Sequence, residues 1–129
     1  MIKRLIPILI VLFLMPFSHV SAETVPLAEF CGMDLSAYDE NSLCKPRITV
    51  YESDCEIGLI QVRLTAEDYE YYLDLALHGV VTGMANATMV TGGTTVIIFE
   101  TADGGFLGSL EFYQGLLCAS DGMYFVEEP

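Results

Sequence analysis

Three groups of side chains have types and spacings that could do chemistry. The thiols are Cys31, Cys44, Cys55 and Cys118. Tyr71, Asp74 and His78 share one stretch, with His78 a helical turn beyond Asp74. Tyr51, Glu52 and Asp54 crowd a polar segment. An Asp–His pair serves catalysis only when a nucleophile comes within hydrogen-bond reach. Ser109 stands in Gly108-Ser109-Leu110, not in the Gly-x-Ser-x-Gly turn that presents a serine sharply. The pair therefore reads as a solvent-face ion pair worth roughly a few tenths of a kcal/mol. A glycosidase needs two carboxylates at controlled separation across a cleft, and a short chain with one helix has little wall for that. No enzymatic activity and no cofactor are expected.

Metal binding fares no better. Asp34, Asp39, Glu40 and Asn41 supply hard oxygens, as do Glu52, Asp54 and Glu56. Calcium wants about six to eight oxygens, and neither cluster has the Asp-x-Asp-x-Asp-Gly frame that would preorganise them. Solvated acidic loops are the expectation. Asn86-Ala87-Thr88 matches the N-glycosylation pattern, which matters only in a eukaryotic secretory route.

Recognition remains. At 100° per residue, Tyr71 projects to the charged side of a helix, among Glu67, Asp74 and His78. An aromatic ring flanked by acids suits a sugar ring or a cationic partner, because the ring supplies apolar area while its neighbours hydrogen-bond. Tyr51, Glu52 and Asp54 form a second patch of the same kind. These six residues are the candidate ligand contacts.

Elements must position them, and the leader comes first. Met1–Ala22 has a basic start (Lys3, Arg4), a 13-residue apolar core (Leu5–Phe17) and small residues at Val20-Ser21-Ala22. That is the form of a secretory signal, and the apolar run is too short to span roughly 30 Å of hydrocarbon. A secreted or periplasmic protein is expected, bacterial by the compact leader, with no membrane anchor. The leader carries no acid, so its loss takes the net charge from −13 to −15 on 107 residues. Apolar residues make up 53% of the whole chain, which excludes disorder despite the charge. The remaining cations, Lys45, Arg47 and Arg63, are too few to neutralise a phosphate track, which excludes nucleic acid.

An even cysteine count in a short exported chain points to two disulfides. No Cys-x-x-Cys pair is present for zinc or redox work. Three pairings are open. Cys31–Cys44 with Cys55–Cys118 is favoured, the first pinning an irregular N-terminal segment and the second tying an early strand to a late one. Each bridge would contribute roughly 3–4 kcal/mol.

Residues 23–47 lack periodicity and read as a disulfide-pinned arm with a short helix near Leu35–Tyr38; residues 48–129 read as a single domain. Ile48–Tyr51 and Glu56–Leu64 form a hairpin around Glu52-Ser53-Asp54. Thr65 offers a hydroxyl to a helix start, and the apolar stripe Tyr69, Leu73, Ala76, Val80 predicts an amphipathic helix over 66–82, with Gly83 as C-cap and Gly79 as an earlier stop. Strands follow at Met84–Val90, Thr94–Glu100 and Phe106–Tyr113, with a last one from Leu116 or Leu117 into Cys118, or from Met123 to Val126. The fold class is α+β: one helix on a four- or five-stranded antiparallel sheet, with curling into a barrel open to it.

A cysteine-bearing hairpin, then Tyr69-x-x-x-Leu73-x-Leu75-Ala76-Leu77, then Val81-Thr82-Gly83 and an immediate strand, resembles the small exported OB-like domains of the B subunits of pertussis- and subtilase-type AB5 toxins. It also resembles other small secreted bacterial proteins of similar build. The likeness covers about 48–118 and rests on element order. It implies a five-stranded barrel capped by the helix, non-catalytic glycan recognition and ring oligomers, so self-association is open to this chain. The acidic balance and the cysteine-bearing arm depart from that pattern.

Two functions are therefore expected in competition. One is an exported, non-enzymatic binding module for a glycan or partner protein. The other is an acidic inhibitor or accessory subunit that masks a basic protein, steered by long-range charge. The cysteine expectation is checked by mass: the non-reduced protein should resist alkylation and weigh four hydrogens less than the reduced one. Four alkylatable thiols in exported material would overturn it.

Overall fold

A computed structural model describes residues 24–39, 41–54, 58–86 and 93–129. The strands are β1 (Val25–Pro26), β2 (Arg47–Asp54), β3 (Gly58–Val62), β4 (Val80–Ala85), β5 (Thr95–Glu100), β6 (Phe106–Tyr113), β7 (Leu116–Ala119) and β8 (Gly122–Glu127), and the helices are α1 (Leu27–Phe30) and α2 (Ala66–His78). All strand pairs are antiparallel, in one sheet ordered β1-β4-β8-β7-β6-β5-β2-β3. The α+β class holds, but eight strands replace the four or five expected. The pairing is linear, so the sheet is open, with edges at β1 and β3. No described helix is long and apolar enough to cross a membrane.

The inner face is built row by row. Paired residues of neighbouring antiparallel strands point to one side, so Val50, Ile97 and Leu110 form a buried row across β2, β5 and β6. Phe112, Leu117 and Tyr124 continue the face across β6, β7 and β8. Helix α2 lies over it through Leu75 and Ala76. Its start is a reciprocal capping box: Thr65 Oγ1 accepts from the Asp68 amide at 3.1 Å, and the Asp68 carboxylate accepts from the Thr65 amide at 3.2 Å. A cap of this kind contributes about 1 kcal/mol.

The helix ends at His78, four residues short of the expected Thr82. Gly79 takes an extended conformation while its amide still donates to the Leu75 carbonyl, and a Cβ there would sit 2.5 Å from that oxygen. Val80 and Val81 then pair with β8 and β1. Two β-branched residues joining a ladder outweigh one more turn of helix. The expected strand at Met84–Val90 is accordingly an earlier one, Val80–Ala85, and residues 87–90 lie outside those described.

The segment 24–39 joins the same core. Leu27 is fully buried, with Met33 and Leu35 nearly so. The Leu27 amide donates to the Gly79 carbonyl at 2.8 Å, tying α1 to the end of α2. The short helix is Leu27–Phe30 instead of Leu35–Tyr38, where a single turn closes from the Tyr38 amide to the Leu35 carbonyl. Strand β2 runs through the expected turn to Asp54. Both alternatives for the last strand exist, joined as the hairpin β7–β8. Gln114 and Gly115 both have positive φ, which identifies the primed two-residue turn that matches strand twist between β6 and β7.

Met33 reaches the sheet because Gly108 has no side chain. A Cβ at Gly108 would lie 2.1 Å from Met33 Cγ and 3.2 Å from Met33 Cβ. Gly108→Ala should therefore destabilise the protein by about 1–3 kcal/mol through overpacking. Adding Met33→Ala should recover part of that loss in a denaturant-melt double-mutant cycle; strict additivity would refute the contact.

Candidate functional site

The three tyrosines of α2 take three directions. Tyr69 donates its hydroxyl to the Pro46 carbonyl ahead of β2. Tyr72 packs against the core, where burial, with the charges of Asp68 and Glu52 behind it, raises its phenol pKa. Tyr71 is 47% exposed and meets Tyr72 edge-on, with ring centroids 5.3 Å apart. Its hydroxyl donates to Glu128 Oε1, just past the end of β8.

These groups wall a cleft of about 200 Å³ between helix and sheet. Tyr71, Tyr72 and Leu75 form the helix side, and Thr95, Ile97 and Phe112 the sheet side. Gly115, Val126 and Glu128 complete the lining. Aromatic area, a hydroxyl and a carboxylate thus converge on one small space. The hydrogen bond to Glu128 pushes the Tyr71 pKa up to about 12, with burial and the Glu128 charge adding to it.

The six candidate residues do not form two patches. Tyr71 lines this cleft, Asp74 lines a neighbour of about 240 Å³ with Lys45, Glu70, Leu73 and Leu77, and His78 lines a third. Seven residues of helix advance roughly 10 Å, enough for different elements to cover Tyr71 and His78 although they share a stripe. Asp74 Oδ1 lies 3.9 Å from His78 Nε2, both side chains about half exposed, and Lys45 Nζ lies 3.9 Å from Glu70. Strand alternation divides the other patch. Tyr51 pairs with Gln61 and Val96 on the outer face, whereas Glu52 pairs with Ile60 and Thr95 on the inner one. Asp54 ends the hairpin register opposite Gly58.

The groove bordered by His78 is larger, about 590 Å³. Pro26, Met33, Leu35 and Leu77 give it apolar walls, and Glu29, Asp34 and Asp39 give it acids. Hydrogen bonds from the Ser36 hydroxyl and amide hold the Asp34 carboxyl below its ordinary pKa. Among the described residues, no three His, Cys, Asp or Glu side chains converge as a metal set. Ser109 is exposed on β6, on the face opposite Gly108 and Leu110.

Cys31, Cys44 and Cys118 are free thiols, Cys44 exposed and the other two half-buried. Burial raises the thiol pKa of Cys31, and burial with the Glu111 charge raises that of Cys118. Cys55 and Glu56 lie outside the described residues.

Sequence reasoning found Tyr71 but not the company it keeps. Thr95, Ile97 and Phe112 lie in strands expected from the sequence, though not as neighbours of Tyr71. Nothing in the local pattern marks Glu128, which reaches Tyr71 across 57 residues of chain. Compared with protein-family models, curated proteins and solved structures, the chain matches none.

Glu128→Gln should return the Tyr71 phenol toward the ordinary value near 10, read by NMR titration of the tyrosine rings. The folded pKa lies above the unfolded one, so the stability this contact adds is present in full below about pH 10. It is lost as pH rises through about 12. Tyr71→Phe should remove that window; a variant melting with the parent's alkaline profile would contradict the link.

Proposed function

We propose that this is an exported, non-enzymatic binding module whose Tyr71 cleft takes one unit of a larger ligand, a sugar ring of a glycan. The convergence of Tyr71, Tyr72 and Phe112 with the Glu128 carboxylate and the Thr95 hydroxyl carries the reading. Small-molecule sites usually enclose about 300–1,000 Å³, so a cleft of about 200 Å³ suits a single ring. Aromatic faces supply apolar area at little entropic cost, and the carboxylate and hydroxyl fix orientation. The element order that resembles the B subunits of AB5 toxins points toward the same ligand class. The leader-like Met1–Ala22 supports a secreted or periplasmic location.

A second reading rests on a different observation. The larger groove combines apolar walls with Glu29, Asp34 and Asp39 in a chain of net charge −13. An inhibitor or accessory subunit that masks a basic protein would use such a surface, with charge raising the association rate.

Salt separates the two. A glycan array and a basic-protein pull-down should give sugar binding that changes little between about 0.05 and 0.5 M salt, where the Debye length shrinks several-fold. Tyr71→Ala and Glu128→Ala should each weaken it by about tenfold or more. Binding only to basic proteins, lost at high salt and indifferent to Tyr71, would instead establish the masking role. Silence in both assays would sink the cleft as a site.

A further inference from the structure

Charge distinguishes the Tyr71 cleft from an ordinary apolar slot. Among the described residues that line it, Glu128 alone carries a formal charge, and no Lys, Arg or His stands with it. Two more carboxylates lie beside the lining. Glu52 pairs with Thr95 on the inner face of the sheet, and Asp68 sits one helical turn before Tyr72. Burial raises the Tyr72 phenol pKa and the charges of Asp68 and Glu52 add to it, so both carboxylates are felt at the cleft wall. Lys45, in the neighbouring cleft, lies 3.9 Å from Glu70.

The Tyr71 hydroxyl already occupies Glu128 Oε1, so a guest that takes this oxygen must bring a better donor than a phenol. A sugar hydroxyl replaces one neutral O–H by another and gains little. An ammonium brings a full charge to the carboxylate, which makes a stronger contact at the same distance. A guest carboxylate brings a like charge and no donor. Aromatic rings stand on both sides, Tyr71 and Tyr72 on the helix and Phe112 on the sheet, and aromatic faces attract cations.

We infer that the unit this cleft selects is a cationic amino sugar, a hexose ring whose free, protonated amine replaces the Tyr71 hydroxyl on Glu128. The inference rests on the glycan reading above and names the class of ring. A slot with aromatic residues on both sides takes the flat face of a pyranose, and the acids around it take the amine. Sialic and uronic acids are rejected by the same charges. One charge per ring keeps the salt dependence to about a few-fold, far below the loss expected for a basic protein with many.

Titrating the full chain with three methyl glycosides, followed by NMR of the tyrosine rings, tests it. The glucosaminide, glucoside and glucuronide share one ring and carry an amine, only hydroxyls, or a carboxylate. The glucosaminide should bind about tenfold tighter than the glucoside, and the glucuronide more weakly than either. Glu128→Gln should bring the glucosaminide within about twofold of the glucoside. That substitution removes one of 18 acids, so a general attraction of cations to the chain would survive it. Equal binding of glucosaminide and glucoside, both weakened by Tyr71→Ala, would overturn the amine inference and leave the cleft reading intact. A preference that persists in Glu128→Gln also overturns it, as does butylammonium, the charge without the ring, binding as tightly as the glucosaminide. If no glycoside binds, both readings fall together.

Discussion

An open antiparallel sheet has one apolar face to hide, and here the helix is too small to hide it. Eight strands spaced about 4.8 Å apart span roughly 34 Å. Helix α2 has 13 residues, roughly 20 Å long and 10 Å wide. The remaining area must be covered by something else, and the segment carrying Leu27, Met33 and Leu35 does it. That need explains why a stretch without periodicity is ordered. Its backbone bonds go to the end of α2 at Gly79, and its side chains fill what the helix leaves open. Covering is dense enough at one point that only a glycine fits, at Gly108 beneath Met33.

The same arithmetic explains the cleft. Where the N-terminal segment does not reach, α2 and the sheet stand apart, and Tyr71 with Tyr72 bridges the gap only in part. Tyr72 turns inward while Tyr71 turns toward the tail after β8, so adjacent residues of one helix form two walls at an edge-on angle. The cleft is thus a by-product of covering a wide sheet with a short helix.

How much of this was legible depended on whether a feature was local. Strands β5 and β6 could be read to within a residue, because β-branched and alternating runs declare themselves. Thr65 announced the start of α2 through its own hydroxyl. The end of α2 was misjudged because Val80 fits the helical stripe, and only the pairing of Val80 and Val81 with β1 and β8 shows what they do. The arm at 23–47 was legible as irregular but not as core, since burial of Leu27 is decided by distant strands. The expected ligand residues are divided for a geometric reason: one helical stripe passes under several elements, and consecutive strand residues face opposite ways. Tyr71 and His78 therefore border different clefts, as Tyr51 and Glu52 lie on different faces.

The turn between β6 and β7 brings Gly115 into the lining of the Tyr71 cleft. Two consecutive residues with positive φ give it the twist of the strands it joins. Glu128, in the same lining, is held to the helix by one side-chain hydrogen bond. A guest that takes the Glu128 carboxylate would have to displace the Tyr71 hydroxyl from it. Such an exchange would free the phenol from the carboxylate that raises its pKa, so occupancy and the ionisation of Tyr71 would be linked.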